Sequence, residues 1–339
     1  MYISIKEIKS DINKLLYVVN NTTDRDSYKY AMCNINLLLD IYRNLTGEDY
    51  KIDIRRNLVL ESKYCKDKSV EDTYIDEYLE DKKFNDIVFS KANSILYNYS
   101  EKKDIKEKDI KYEDFLDLLE TFLVNYDSKI YTYYKYLSSK GYIDWFTYKN
   151  RSTNETNNIF LLNKRYILLD NDYDVEGLCT IVHEIGHAYA QNLVKDYNVS
   201  YNDCNTYYEF FSSFMERMML FYLKGNSLYK SDANNSDNKY LTQLKMYTDD
   251  LIKFENKSNE TIRSNKGIIS TSLIYFYGEY LALIKEYDYM HDQIETKNRI
   301  NEFLKYRGSF SKEKELELLG VSRLDLLSGE KVQKLILSK

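Results

Sequence analysis

Apolar side chains recur at three- and four-residue intervals along most of this chain, the period of an amphipathic helix rather than of a strand. Residues 5–20 and 27–46 each read as one helix, the second carrying Leu37, Leu38, Leu39, Ile41 and Tyr42. Residues 70–99 hold one or two more. Over 101–111 acids and lysines alternate with only two isoleucines, the composition of a solvated connector. A strong helix follows from about Glu113, with Phe115, Leu118, Leu119, Phe122 and Leu123 on one side. One region breaks the pattern. The short apolar runs 159–162 and 166–169, around Asn163-Lys164-Arg165, predict a hairpin or one kinked strand. The stretch 228–239, rich in Ser, Asn and Asp, is the best candidate for an exposed loop. The expected fold is mainly α with a small β segment. The connector suggests an N-terminal helical region, 1–111, and a second region, 112–339.

The helix expected after the β segment carries the chemistry. Asp170-Asn171-Asp172-Tyr173-Asp174 supplies acidic capping residues. Val175, Leu178, Cys179, Val182, Ile185, Gly186 and Tyr189 then recur at helical spacing and should bury one face. At its edge lie His183 and His187, in the run His183-Glu184-Ile185-Gly186-His187. Residues four apart on a helix stand one above the other, so two imidazoles can reach one metal ion. Glu184 falls beside them, placed to act on a water. This HExxH spacing is a zinc-peptidase signature, and the chain has only three histidines from which to form it by chance. A catalytic zinc takes a third protein ligand. The best source is Glu209, in Tyr208-Glu209-Phe210-Phe211, far enough along for a second helix to return. Glu216, two turns further, is a candidate outer acceptor for a ligand histidine N–H. Gly186 inside the motif helix costs about 1 kcal/mol relative to alanine, which a close approach by another helix would justify. His291 reads as a surface residue.

Composition narrows the setting. The 339 residues give ample room for a core, and a formal net charge of −6 with a pI near 5.4 argues against nucleic acid as a partner. No uncharged stretch approaches the length of a membrane span, and the N-terminal residues lack the apolar segment of a secretory signal. The four cysteines have no CxxC spacing, so free thiols in a reducing compartment are expected, with Cys179 a small buried apolar residue. The chain holds 36 tyrosines and no proline, so helices must stop at Gly, Asn and Asp.

Several ordered pieces resemble the zinc oligopeptidases of the thimet oligopeptidase and oligoendopeptidase F type. Tyr166-Ile167-Leu168-Leu169, leading through Asp174-Val175 into the HExxH run, resembles that family's strand and motif helix. Glu209, Ser212, Phe214 and Glu216 match its third-ligand helix. Tyr275-Phe276-Tyr277-Gly278-Glu279-Tyr280 resembles its tyrosine cluster. The stretch from Phe303 to Val321 resembles its C-terminal helices, and Tyr142-Ile143-Asp144-Trp145-Phe146 with Lys149-Asn150-Arg151 the start of its catalytic region. The resemblance covers about 142–328. It implies a helical zincin-like metallopeptidase fold, one Zn2+ per chain held by His183, His187 and Glu209, and peptide-bond hydrolysis by a zinc-activated water with Glu184 as general base. It also implies an oxyanion-stabilising phenol, for which Tyr277 and Tyr280 are the candidates. Tyr275, Tyr166 and Ile167 are candidate substrate contacts, the last two by strand addition to the β segment. The expected substrate is a short or unstructured peptide, and the expected compartment the cytoplasm. Members are usually longer, so a reduced N-terminal lobe is expected. The family also carries a histidine shortly before its tyrosine cluster, whereas Gly267-Ile268-Ile269-Ser270-Thr271 has none. A catalytically weak, zinc-containing peptide-binding protein is therefore the alternative reading. A purely helical interaction protein would leave HExxH unexplained.

Overall fold

A computed structural model describes residues 3–52, 69–97, 108–145, 154–170, 172–193, 207–307 and 310–338. It is mainly α-helical, with one three-stranded sheet ahead of the motif helix, as the hydrophobic pattern predicts. Cys65, Cys204, most of the expected connector, and Phe146, Lys149, Asn150 and Arg151 lie outside the described residues. By contact density the chain forms two units. One comprises Met1–Lys68, Lys111–Tyr173 and His187–Asn192; the other Ser69–Ile110, Asp174–Gly186 and Leu193–Lys339. These are interleaved in sequence rather than consecutive.

In the first unit, α1 (Ile5–Asn21) and α2 (Arg25–Thr46) start at oxygen caps. Ser4 accepts from the Glu7 N–H, and the Asp24 carboxylate from the Ser27 N–H. Helix α2 stops at Gly47, whose φ of 72° lies in the left-handed region that glycine adopts without strain. The helices bury Ile8, Ile12, Leu15 and Val19 on one and Ile35, Leu38 and Ile41 on the other. Two further helices, α5 (Tyr112–Tyr126) and α6 (Ser128–Lys140), follow later in the chain. The sheet has the order β1-β3-β2, from β1 (Ile143–Asp144), β2 (Glu155–Ile159) and β3 (Lys164–Leu168). Strand β1 runs parallel to β3, pairing Ile143 with Ile167. Strand β2 runs antiparallel, pairing Asn157 with Tyr166.

The hairpin reading is correct in outline but shifted. The apolar run 159–162 is mostly a 3-10 turn, Phe160–Leu162, closed by Asn163 at φ 50°. The pairing strand is the polar Glu155–Ile159, whose Glu155 accepts from the Asn44 amide at 2.8 Å. Tyr166 and Ile167 require a correction as substrate contacts. They lie on the central strand, paired on both edges, and are 1% and 0% exposed. The Tyr166 hydroxyl reaches Asp11 at 3.3 Å. No backbone edge is left there for a peptide.

The second unit contains α3 (Val70–Glu80), α4 (Lys82–Leu96), the first part of α7 (Val175–Leu193), and α8 (Phe210–Lys224), α9 (Lys230–Ile252), α10 (Asn259–Ser264), α11 (Lys266–His291), α12 (Gln293–Tyr306), α13 (Lys312–Leu319), α14 (Arg323–Ser328) and α15 (Glu330–Leu337). The expected loop at 228–239 is mostly the start of α9. Its inner face is Ala233, Ser236, Asp237, Leu241 and Leu244, correct helical spacing in which two members are polar. Asp237 is held by Arg217 and Lys224, and Arg217 also binds Glu286 at 2.7 Å. A buried charge network therefore does on this helix what apolar residues do elsewhere. Helix α11 is long and apolar enough to cross a membrane by length and composition, but 72% of that window is buried inside the protein, as in a core helix. Cys179 is fully buried, as expected of a small apolar side chain. His291 is exposed at the end of α11.

Candidate metal centre

Asp174 begins α7 by accepting from the Gly177 N–H at 2.8 Å. The helix then buries Val175, Leu178, Cys179, Val182 and Ile185 completely. That phase leaves the His183 imidazole partly exposed and His187 7% exposed, on successive turns. Gly186 answers its own cost. A Cβ there would lie 3.0 Å from the Ser212 Cα and 3.4 Å from the Met215 Cγ, so α8 passes directly against it.

Helix α8 brings in the carboxylates. Glu209 is its N-cap but makes no side-chain cap hydrogen bond. The Glu209 carbonyl is fixed instead by the Ser213 N–H and the Ser212 hydroxyl, both at 3.0 Å. Its carboxylate turns to His183, with Oε2 3.3 Å from Nε2. On the other side of the ring, Glu216 Oε1 approaches Nδ1 to 3.1 Å. One ligand atom from each of His183, His187 and Glu209 lies within 4.8 Å of the others. Among the described residues this is the group of histidines and carboxylates suited to a metal ion. Burial opposes protonation of His183. Glu216, Glu209 and Glu184 together outweigh it and hold the imidazole pKa well above its ordinary value. The field here favours a cation.

The donor set fits zinc. Two imidazoles and one carboxylate form a known catalytic set, and bonds of about 2.0–2.2 Å place tetrahedral donors about 3.3–3.5 Å apart. The His183–Glu209 separation already has that value. Glu216 stands where a ligand histidine's second nitrogen is normally held. Glu184 is 6% exposed on the same helix.

The tyrosines separate sharply. A Cβ on Gly278 would lie 2.6 Å from the Glu209 Cβ, so this face of α11 meets the start of α8. At about 100° per residue, Tyr275 lies roughly 60° from that direction, Tyr277 about 100° to the other side, and Tyr280 about 160° away. Tyr277 therefore donates its hydroxyl to the Asn85 side chain and packs on Phe89 and Tyr207. Tyr280 is fully buried beside Gly329. Neither hydroxyl is brought to the histidines, which corrects their candidacy as the oxyanion phenol. Tyr275 has the right surroundings. Glu209 first, then burial and the charges of Tyr247, Glu184 and Glu216, push its pKa up. It is 36% exposed and stacks on Tyr247 at 5.3 Å and 15°. Tyr247, on α9, is a residue the sequence reading missed. Its pKa is pushed up to about 12 by burial and then by Glu279, Glu209 and Glu216. Nothing in its sequence context separates it from the other tyrosines.

No protein-family model matches the chain, and no curated protein matches it. Solved structures do. A Bacillus anthracis protein provisionally described as an oligoendopeptidase F superimposes with a TM-score of 0.51 at 12% identity, over 98% of this chain and 73% of its own. A Chlamydophila abortus protein provisionally described as a peptidase gives 0.48 at 15%, over 93% and 61%. PZ peptidase A with an inhibitor gives 0.48 at 12%, over 98% and 74%. The first likeness establishes a shared fold and nothing beyond it.

Proposed function

We propose that the chain is a zinc-dependent endopeptidase of the oligopeptidase type, hydrolysing short or unstructured peptides. What supports this most is the approach of His183, His187 and Glu209 within 4.8 Å, with Glu184 beside the first histidine. The description of the Bacillus anthracis protein as an oligoendopeptidase F agrees with it. When bound, one zinc ion per chain supplies Lewis acidity toward a water and a peptide carbonyl. Glu184 takes the proton of the attacking water and delivers it to the leaving amide nitrogen. Glu216 orients the His183 ring from its Nδ1 side. Tyr275, whose raised pKa keeps its phenol protonated at neutral pH, donates to the developing oxyanion. Tyr247 restrains the Tyr275 ring by stacking. Only an unfolded segment has unoccupied backbone groups to offer such a site, which favours unstructured substrates. The acidic balance disfavours nucleic acid, and the cytoplasm is the compartment proposed with this reading.

Digestion of a stable folded protein beside its unfolded, alkylated form tests this. The wild type should cut only the unfolded form. Glu184→Gln should retain zinc and cut neither. Equal cleavage of both forms, or near-normal turnover by Glu184→Gln, would overturn the reading. The second reading, a weakly catalytic zinc-containing peptide binder, is favoured by the lack of a histidine at 267–271. Saturable peptide binding by the zinc-loaded wild type without cleavage would select it.

A further inference from the structure

A second polar cluster lies wholly within the first unit, among residues the metal centre does not use. Arg165 of β3 is 4% exposed. Its Nη1 donates to Asn163 Oδ1 at 2.8 Å, and its Nη2 to the Gln191 carbonyl near the end of α7 at 3.2 Å. Its Nε meets no acceptor. Among the described residues no carboxylate neutralises it; its electrostatic neighbours are Tyr133 and Tyr136. Burial accordingly lowers the guanidinium pKa. The Tyr133 hydroxyl is buried beside this guanidinium, and the contact between the two falls short of full hydrogen-bonding geometry. Arg165 and Tyr133 line one cavity of about 260 Å³, together with Tyr136, Tyr142, Asn163 and Asn192.

The helix-end carbonyl accounts for Nη2 and for the side chain's direction. It does not account for Nε, and a helix terminus offers only about half a charge. Buried ions are ordinarily paired, and buried donors ordinarily satisfied. A cavity lined by a guanidinium with no carboxylate partner among the described residues, and by a phenol that meets it only loosely, therefore has the chemistry of an anion site.

We propose that this cavity binds a small organic carboxylate with a flat apolar body. The carboxylate is taken by Arg165 Nε and the Tyr133 hydroxyl, and the body lies against the Tyr136 and Tyr142 rings. A planar guanidinium edge matches a planar carboxylate. One buried positive charge balances a monoanion, whereas a phosphate dianion would leave a second charge uncompensated in a poorly solvated space. The walls are aromatic. Tyr133 and Tyr136 stack at 6.1 Å and 24°, and Tyr142 meets Tyr136 edge-on at 6.4 Å. Tyr136 is 44% exposed and forms the mouth, where Lys140 Nζ lies 6.0 Å from its ring centre and adds positive charge. Burial pushes the Tyr133 phenol up to about 12, so it remains a donor throughout the neutral range. The cavity volume limits the body to about one ring. The ligand is either a free aromatic acid or the terminal carboxylate of a peptide ending in an aromatic residue.

The test is calorimetric titration of the full chain, in EDTA so that no metal competes for the carboxylate, with four probes: benzoate, N-acetylphenylalanine, benzamide and inorganic phosphate. Either carboxylate should bind saturably, and the tighter of the two identifies the source. Benzamide should bind roughly tenfold or more weakly, and phosphate not measurably. Tyr133→Phe should weaken the carboxylate roughly tenfold or more while changing the thermal midpoint of the unliganded protein little, since the hydroxyl's contact with Arg165 is short of full hydrogen-bonding geometry. Arg165→Gln should abolish binding, and Tyr133→Phe keeps the proposal testable if that variant does not fold. No saturable carboxylate binding up to about 10 mM, benzamide or phosphate binding as well as the carboxylates, or unchanged affinity in Tyr133→Phe would each overturn it.

Discussion

Gly278→Ala separates helix propensity from geometry at the proposed metal centre. In a helix interior alanine is favoured over glycine by about 0.5–1 kcal/mol, so propensity alone predicts stabilisation. The new Cβ would lie 2.6 Å from the Glu209 Cβ, 3.1 Å from its carbonyl carbon and 3.3 Å from its Cα. Carbon atoms prefer separations of about 3.5–4.0 Å, so the start of α8 must retreat by about 1 Å. Overpacking of this kind costs about 1–3 kcal/mol, and metal sites tolerate ligand displacements of only about 0.2 Å. Returning Glu209 to the metal would restore the clash. Zinc affinity should therefore fall by roughly 5- to 150-fold, the equivalent of about 1–3 kcal/mol. The thermal midpoint of the metal-free protein should change little, because α8 relaxes and the alanine gain offsets part of the strain. Gly186→Ala is the internal comparison. Its Cβ would lie 3.0 Å from the Ser212 Cα, beyond the ligand, and a shift of a few tenths of an ångström relieves it. Chelator competition gives the affinities. Zinc binding by Gly278→Ala within about twofold of wild type would refute the argument that α11 sets the position of Glu209, the proposed third ligand.

Two further outcomes follow from the same geometry. Tyr275→Phe should lower kcat on an unstructured peptide by about 10²-fold or more with KM little changed, whereas Tyr277→Phe should leave kcat near wild type and cost about 1 kcal/mol of stability through the lost Asn85 hydrogen bond; equal kcat losses would show the assignment to be wrong. Burial, then the Glu216 charge, raises the Glu279 pKa to about 8 against an ordinary 4.5. The folded chain then holds a proton that the unfolded chain has lost, so its contribution to stability is present below about 4.5 and declines as pH rises through about 8. Urea titrations of metal-free protein at pH 5 and pH 8 should show that decline, and Glu279→Gln should reduce it; an identical pH dependence in the variant would remove Glu279 as its source.

What could be read in the sequence tracks what the residues do locally. The helices over 5–20 and 27–46 were legible because their buried faces are apolar at regular spacing, and the His183–His187 pair because four residues is itself a geometry. Leu228–Lys239 was not legible as a helix: its inner face uses Ser236 and Asp237, and Asp237 is acceptable inside only because Arg217 and Lys224, distant in sequence, meet it. The polar strand Glu155–Ile159 was passed over for the more apolar run that follows it. The tyrosines posed a different problem. Tyr275, Tyr277 and Tyr280 are alike in composition, and only the phase of α11 separates them. A signal was present in Gly278, a glycine inside a long apolar helix, which marks the side that another backbone approaches. Tyr247 had no such marker, because its place beside Tyr275 comes from the packing of two helices.

Zinc titration of the metal-free chain, following hydrolysis of one unfolded, alkylated polypeptide, tests the central claim most directly. The account predicts a rate that rises in proportion to added zinc and stops rising at one ion per chain, with His183→Ala and Glu209→Ala remaining near background at the same zinc. A rate independent of zinc, or one restored equally in either variant, would contradict it.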